Sequence, residues 1–118
     1  YNLYEIRLAD TYLMEAEAVL KSGGAVGAGS RAYAALNAVR ARVGLKPVDV
    51  TMDNIMKERR IELAAEGQRW FDLVRWGLAP AKLAFKGFVA GKNETLPIPN
   101  GELNNTKIVQ SKEWGGTK

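Results

Sequence analysis

Residues 58–77 read ERRIELAAEGQRWFDLVRWG and place carboxylates and arginines among aromatic and aliphatic side chains. Two carboxylates held at different pKa values can act as an acid and a base, which is the chemistry that hydrolyses glycosidic bonds. Carboxylates bound by arginine instead stay ionised and hold neighbouring segments together. The stretch is therefore either a catalytic pair or a structural clamp.

The helical geometry predicted for this stretch favours the clamp. At about 100° per residue, Glu58, Glu62 and Glu66 fall on one arc of a helix, and apolar residues border that arc. A carboxylate among apolar side chains must be paired, and the planar fork of arginine binds both of its oxygens. We therefore predict that Glu62 or Glu58 pairs with an arginine of this stretch inside the fold, and that no residue is catalytic. The arginines considered are Arg59, Arg69 and Arg75.

The amino-acid composition excludes several kinds of active site. The chain has 118 residues and no cysteine or histidine, which excludes thiolate nucleophiles, imidazole catalysis and the commonest zinc ligands. Asp49, Asp53 and Asn54 do not have the spacing of a calcium loop. The glycine-rich residues 23–29 lack the lysine of a phosphate-binding loop. We predict no metal and no cofactor.

The charged residues argue against nucleic acid as a partner. The net charge is +4, but the 17 basic and 13 acidic residues are interleaved along the chain. Nucleic-acid-binding domains more often collect lysine and arginine in a run or on one face. No apolar run approaches the ~20 residues of a membrane span. We predict neither nucleic-acid binding nor a transmembrane segment.

The elements that must position these side chains begin with a helical hairpin. Residues 3–20 repeat apolar side chains with helical periodicity, and Gly23 lies where this first helix should end. Ser30 is a suitable N-cap for a second helix over residues 30–43, and Gly44 can form its left-handed C-cap. The residues predicted to face inward are Ile6, Leu8, Ala9, Tyr12, Leu13, Ala16, Val19 and Leu20, then Ala32, Ala35, Leu36, Val39 and Val43.

Two further helices and an irregular segment follow the hairpin. Thr51 can cap a third helix, Gly67 breaks or bends it, and a short fourth helix covers residues 68–76. The chain then becomes rich in Gly, Pro and Asn, and the alternating prolines of LPIP predict an extended conformation. The predicted fold class is all-α: a hairpin of the α-solenoid, TPR-like type, two more helices and an irregular extended C-terminal segment, in a single domain over residues 1–118.

One helix pair of this type cannot cover its own apolar face. We expect the pair to be the last unit of an array whose other units lie upstream, or to be capped by the third helix. The sequence starts at Tyr1 and enters a helical pattern almost at once. We interpret the chain as a piece of a longer protein.

Three tryptophans are candidates for stacking on a sugar or a base. Trp70 and Trp76 lie at helical spacing among apolar residues, which favours core packing. Trp114 lies near a polar, glycine-containing end and is the better exposed candidate, although pinning the tail to the helices is the favoured role. Two N-glycosylation patterns, at Asn93 and Asn104, are short enough to arise by chance. The carbohydrate-binding residues stay unassigned.

Four blocks of the sequence, in order, resemble the C-terminal region of one family. They are IRLADTYLMEAEA (6–18), LNAVRARVGL (36–45), IMKERRIELAAEGQRWFDLVRWG (55–77) and GKNETLPIPNGEL (91–103). Together they look like the SusD/RagB family of outer-membrane glycan-binding lipoproteins. Asp10 stands where that family more often has Glu. The signal peptide, lipidated cysteine and larger N-terminal helical part of the family are not among these residues.

The resemblance implies a non-catalytic glycan-binding protein for nutrient uptake, which delivers oligosaccharides to a TonB-dependent, SusC-like transporter. It also implies attachment to the cell outer membrane by an N-terminal lipid. The sugar-stacking aromatics of the family lie largely outside this region, so a scaffold role is expected here. From the residues alone, a helical-repeat protein-interaction adaptor, a nucleic-acid-binding domain and a carboxylate-based glycosidase are the alternatives.

Overall fold

The computed structural model describes residues 6–104 and 107–116, and the regular elements there are helices. The α-helices are α1 (Leu8–Lys21), α2 (Arg31–Ala41), α3 (Met52–Glu62), α4 (Gln68–Arg75), α5 (Ala79–Leu83) and α6 (Asn100–Leu103), with 3₁₀ turns at Ala84–Lys86 and Lys112–Trp114. Within the described residues there is no strand, and the predicted all-α fold is confirmed. None of the helices described is both long and apolar enough to cross a membrane.

The chain divides into two compact units, and the division falls within α4. The first unit, Tyr1–Arg69, contains α1, α2 and α3. The second unit, Trp70–Lys118, contains α5, α6 and both 3₁₀ turns. That the chain forms one domain stays a prediction.

α1 and α2 form the predicted hairpin around an aliphatic core. The hydroxyl of Ser30 accepts a hydrogen bond from the Tyr33 backbone N–H at 3.1 Å, which caps α2 as expected. After α2, Gly44 has a φ of 73° and the Leu45 N–H donates to the Arg40 carbonyl, which is the predicted left-handed helix stop. α3 packs against α1 and contributes to the same core. The buried core residues are Leu13, Ala16, Ala32, Ala35, Leu36, Val39, Val50 and Ile55.

Three residues predicted to face inward are exposed instead. Ile6, Leu8 and Val43 are 71%, 64% and 53% exposed. α1 begins at Leu8, so Ile6 precedes the helix, and α2 ends at Ala41, so Val43 follows it. Leu8 itself lies in α1 beside an open groove. Residues 3–5 of the predicted first helix lie outside the described part of the chain.

α3 ends at Glu62, before the glycine that the sequence predicts as its breaking point. Residues 63–67 form turns and bends, with Ala65 at a φ of 65° and Gly67 at a φ of 77°. The guanidinium of Arg7 donates to the Glu62 backbone carbonyl and so satisfies one of the last acceptors of the helix. Gly67 instead directly precedes α4.

The second unit has little regular structure after α4, as predicted for the C-terminal segment. The side-chain amide of Gln110 forms two hydrogen bonds with the backbone of Ile98. It accepts from the Ile98 N–H at 3.1 Å and donates to the Ile98 carbonyl at 3.0 Å. Pro99 has φ −56° and ψ 139°, which is an extended conformation. The short helix α5 is not foreseen by the sequence interpretation, and Pro80 lies in its first turn.

Candidate functional site

The carboxylates at the end of α3 are bound by arginines. Glu62 accepts from Arg7 Nη1 at 2.6 Å and from Arg42 Nη2 at 2.8 Å, and its side chain is 8% exposed. Arg7 also binds Glu66, with Nε 2.8 Å from Oε2. Arg7 precedes α1, Arg42 follows α2 and Glu62 ends α3. These contacts therefore join the start of α1 to the ends of α2 and α3.

Two further ion pairs connect the same three helices. Arg59 of α3 donates to Asp10 of α1 at 2.7 Å, and both side chains are buried. Arg40 of α2 donates to Glu58 of α3 at 2.6 Å, and its Nε also donates to the Lys46 carbonyl. The first pair fastens α3 to α1 and the second fastens α3 to α2, each through a charge-assisted hydrogen bond.

The predicted identity of the arginine partners is wrong. The arginines expected to bind Glu62 or Glu58 are Arg59, Arg69 and Arg75. Glu62 is bound instead by Arg7 and Arg42, and Glu58 is bound by Arg40. The predicted arginines all lie within residues 58–77, whereas helix packing brings these three arginines from more distant positions in the chain. The Arg-Ala-Arg sequence at the end of α2 is the signal that could have suggested two of them.

The electrostatics of Glu62 are those of a structural carboxylate. Burial raises its pKa, but hydrogen bonds from Arg7 and Arg42 outweigh that effect and hold the pKa below its ordinary value. Hydrogen bonds to Glu66 and Glu62 in turn raise the pKa of Arg7. A carboxyl group with a lowered pKa is ionised at neutral pH and has no proton to give as a general acid. The arrangement supports a clamp rather than a catalytic pair.

Replacing Glu62 by glutamine should lower the free energy of unfolding at neutral pH and lower it less in acid. Because its pKa is lowered from 4.5 on folding, the contribution of Glu62 is complete above that pH and is lost as the pH falls through the folded-state value. We expect E62Q to reduce the free energy of unfolding by about 1–2 kcal/mol at pH 7, a modest value because Arg42 is largely exposed. Urea unfolding at pH 7 and pH 3 measures the change, and an equal loss at both would contradict this account.

Trp70 and Trp76 are half-buried and have neighbours within the second unit. Trp70 packs against Phe88, with ring centroids 5.5 Å apart and the rings tilted by 50°. The guanidinium of Arg75 lies 4.6 Å from the ring centre of Trp76. These contacts agree with the packing role that helical spacing favours for both residues.

Trp114 is also half-buried, and a cation lies against its ring. The ammonium group of Lys92 is 4.5 Å from the ring centre, and the indole nitrogen is buried. This position favours the tail-pinning role over an open stacking surface. The most exposed aromatic rings described are Phe85 and Phe71, which are 81% and 62% exposed. The sequence interpretation did not single out either phenylalanine.

The structure describes all of the first glycosylation pattern, at Asn93, and only part of the second, at Asn104. The side chain of Asn93 accepts a hydrogen bond from the Val89 backbone N–H at 2.7 Å, so its amide oxygen takes part in a local turn. Asn104 is described, but Asn105 and Thr106 of the second pattern lie outside the described residues.

A groove runs between α1 and α2 and consists of two adjoining hollows. Their volumes are about 280 Å³ and about 300 Å³. Tyr12 and Ala38 line both hollows, which makes the groove continuous. Leu8 and Val39 line only the first, and Ala34 lines only the second. The groove is thus a mainly apolar surface within the first unit.

Proteins similar to this chain come from one family. The family model of the SusD family matches residues 1–94. A SusD-like protein of Bacteroides ovatus is 41% identical over 76 residues, which cover 64% of this chain and 14% of that protein. The starch-binding protein SusD of Bacteroides thetaiotaomicron is 31% identical over 118 residues, which cover 91% of this chain and 20% of that protein.

The fold has a relative among solved structures. A laminarin binding SusD-like protein is 59% identical with a TM-score of 0.77, and the match covers 89% of this chain and 22% of that chain. The matched residues thus span between 14% and 22% of the length of these three proteins. The family match over most of the chain, together with relatives that share both sequence and fold, shows that the chain belongs to the SusD family.

Proposed function

We propose that this chain is part of a non-catalytic glycan-binding protein that serves nutrient uptake. The observation that carries the proposal is the likeness to a laminarin binding SusD-like protein, at 59% identity over 89% of this chain. The starch-binding protein SusD is similar over nearly the same extent. Laminarin is therefore the first glycan to test, and starch is the second.

Within that protein, the described residues serve as scaffold and not as an enzyme. A glycosidase needs carboxyl groups that can exchange protons, and the carboxylates of α3 are instead bound by arginines. The ammonium group of Lys92 lies over the ring of Trp114, the candidate stacking residue. Both observations support a structural role for this region and leave the glycan contacts to other parts of the protein.

The proposed partner is a SusC-like, TonB-dependent transporter, and the proposed place is the cell outer membrane, with attachment by an N-terminal lipid. Membership of the SusD family supports both proposals. A helical-repeat interaction adaptor is the second candidate function, because an open apolar groove on a helix pair is a surface that can accept a peptide helix.

Calorimetry against laminarin and starch oligosaccharides tests the scaffold proposal. We expect the full-length protein to bind, the 118-residue chain to bind weakly at most, and neither to release hydrolysis products. A single stacking surface contributes little binding free energy against the entropy lost on association. The chain alone should therefore give almost no binding signal. In the full-length protein, Trp114→Ala and Phe85→Ala should each change the affinity by less than about twofold.

Three outcomes would count against parts of this proposal. Equal affinity in the chain and the full-length protein would move the glycan site into these residues. A large loss in either aromatic variant would assign the glycan contact to that ring. If the full-length protein bound none of these glycans, the proposed glycan-binding function would be contradicted.

A further inference from the structure

Residues 81–91, at the end of α5 and in the turn that follows it, combine exposed apolar side chains with exposed lysines. The segment reads AKLAFKGFVAG and is named the basic turn. Phe85 is 81% exposed and Val89 is 55% exposed. Lys82 and Lys86 are exposed on the same segment. The basic turn therefore presents a large apolar ring to solvent between two cations.

Local contacts hold the basic turn in one conformation. Gly87 has a φ of 77°, and its N–H donates to the Ala84 carbonyl at 2.9 Å, which closes the 3₁₀ turn. The ring of Phe88 packs against Trp70 with the ring centroids 5.5 Å apart. Phe88 thus fastens the basic turn to the second unit, whereas Phe85 stays in solvent.

The lysines of the basic turn have no carboxylate partner. Residues 73–93 contain one arginine and three lysines but no aspartate or glutamate. In the part of the chain that the structure describes, no ion pair reaches Lys82 or Lys86. The ammonium of Lys86 lies 5.8 Å from the ring centre of Phe85, which is a weak contact. The positive charge of this surface is therefore available to an anionic partner.

This combination of side chains suits an anionic bilayer surface better than a protein interior. Burying Lys82 and Lys86 inside a protein costs desolvation free energy, because no carboxylate of this segment offsets it. At a bilayer surface the ammonium groups stay among hydrated headgroups while apolar side chains enter the acyl boundary. A neutral glycan gains nothing from the lysines, and a nucleic acid gains nothing from Val89.

We infer that the basic turn docks on the anionic headgroups of a lipid bilayer, with Phe85 and Val89 entering the boundary between headgroups and acyl chains. A single acyl chain binds a membrane only marginally, and a basic patch is a second signal that makes the binding stable. The inference adds a second membrane contact to the proposed lipid attachment. It does not depend on which glycan the protein binds.

Vesicle co-sedimentation of the full-length protein, prepared without an acyl chain, tests the inference. We expect at least about tenfold tighter binding to phosphatidylcholine vesicles that contain about one third phosphatidylglycerol than to phosphatidylcholine alone. Lys82→Gln combined with Lys86→Gln should weaken that binding about 25-fold, because each lysine near an anionic surface contributes about fivefold. Phe85→Ala should weaken it by about fivefold or more, because the ring no longer leaves water.

Two matched controls separate docking by this surface from general effects of charge and apolar area. Lys46→Gln combined with Lys57→Gln removes the same charge from exposed lysines of the first unit. Phe71→Ala removes a ring that is 62% exposed and lies outside the basic turn. At about 0.1 M salt, where charges act over about 10 Å, each control should change vesicle binding by less than about twofold.

Four results would overturn the inference. They are no binding to the anionic vesicles, wild-type binding by the Phe85→Ala variant, equal losses in the control variants, and tighter binding to polyglutamate than to the vesicles. The last result would assign the surface to an acidic protein. Laminarin affinity, measured on the same Phe85→Ala protein, should stay within about twofold of the wild-type value. Membrane docking and glycan binding can therefore fail separately.

Discussion

Replacing Asp10 by alanine is expected to lower the free energy of unfolding by about 1.5–3 kcal/mol. The Asp10 carboxylate accepts from Arg59 Nη1 at 2.7 Å, and the two side chains are 8% and 3% exposed. The substitution removes one charge-assisted hydrogen bond from the buried Arg59 guanidinium. Because the pair joins α1 to α3, the loss falls on the contact that holds the hairpin to the third helix.

Two further variants separate the ion pair from other effects of the substitution. Asp49→Ala is the matched control, because Asp49 is exposed and a change there should stay within about 0.5 kcal/mol. Asp10→Asn keeps the size of the side chain and removes its charge, so its loss should lie between the other two. Urea unfolding at neutral pH measures all three. If D10A were as stable as D49A, the buried pair would contribute nothing to stability.

The sequence indicates that the carboxylates of α3 are paired, but not which arginine binds each of them. Glu58 and Glu62 stand between apolar neighbours at helical spacing, and that local pattern is sufficient to predict pairing. The choice of partner depends on how α1 and α2 pack against α3, which periodicity within one stretch does not encode. Arg7 and Arg42 become identifiable only when the three helices are placed together.

Helical periodicity likewise predicts which residues suit a buried face, but not whether a neighbour covers that face. Leu13 and Leu36 follow the pattern and are fully buried. Leu8 follows the same pattern and is exposed, because its side of α1 borders the open groove. The helix α5 is too short to show periodicity, and Pro80 suggests irregular structure although proline is well suited to a first helical turn.

Replacing Leu36 by alanine is expected to lower the free energy of unfolding by about 2–5 kcal/mol. Leu36 is fully buried in the core that α1, α2 and α3 share, so the shorter side chain loses transfer free energy and leaves a cavity. Leu45→Ala is the matched control, since it removes the same atoms from a side chain that is 48% exposed. Its effect should remain below about 1 kcal/mol, and equal effects of the two variants would contradict the described core.

The Leu36 variant also tests whether these residues act as a scaffold. A side chain buried in this core does not contact a glycan, so its truncation should reduce the amount of folded full-length protein without changing the affinity of the molecules that remain folded. Laminarin calorimetry well below the Tm of L36A should therefore give the wild-type dissociation constant within about twofold, and binding should disappear only as the protein unfolds. A tenfold weaker affinity, at an unchanged circular dichroism spectrum, would mean that the geometry of the glycan site depends directly on this core. The glycan contacts would then have to be sought next to α1 and α2, and the proposal that they lie in other parts of the protein would fail.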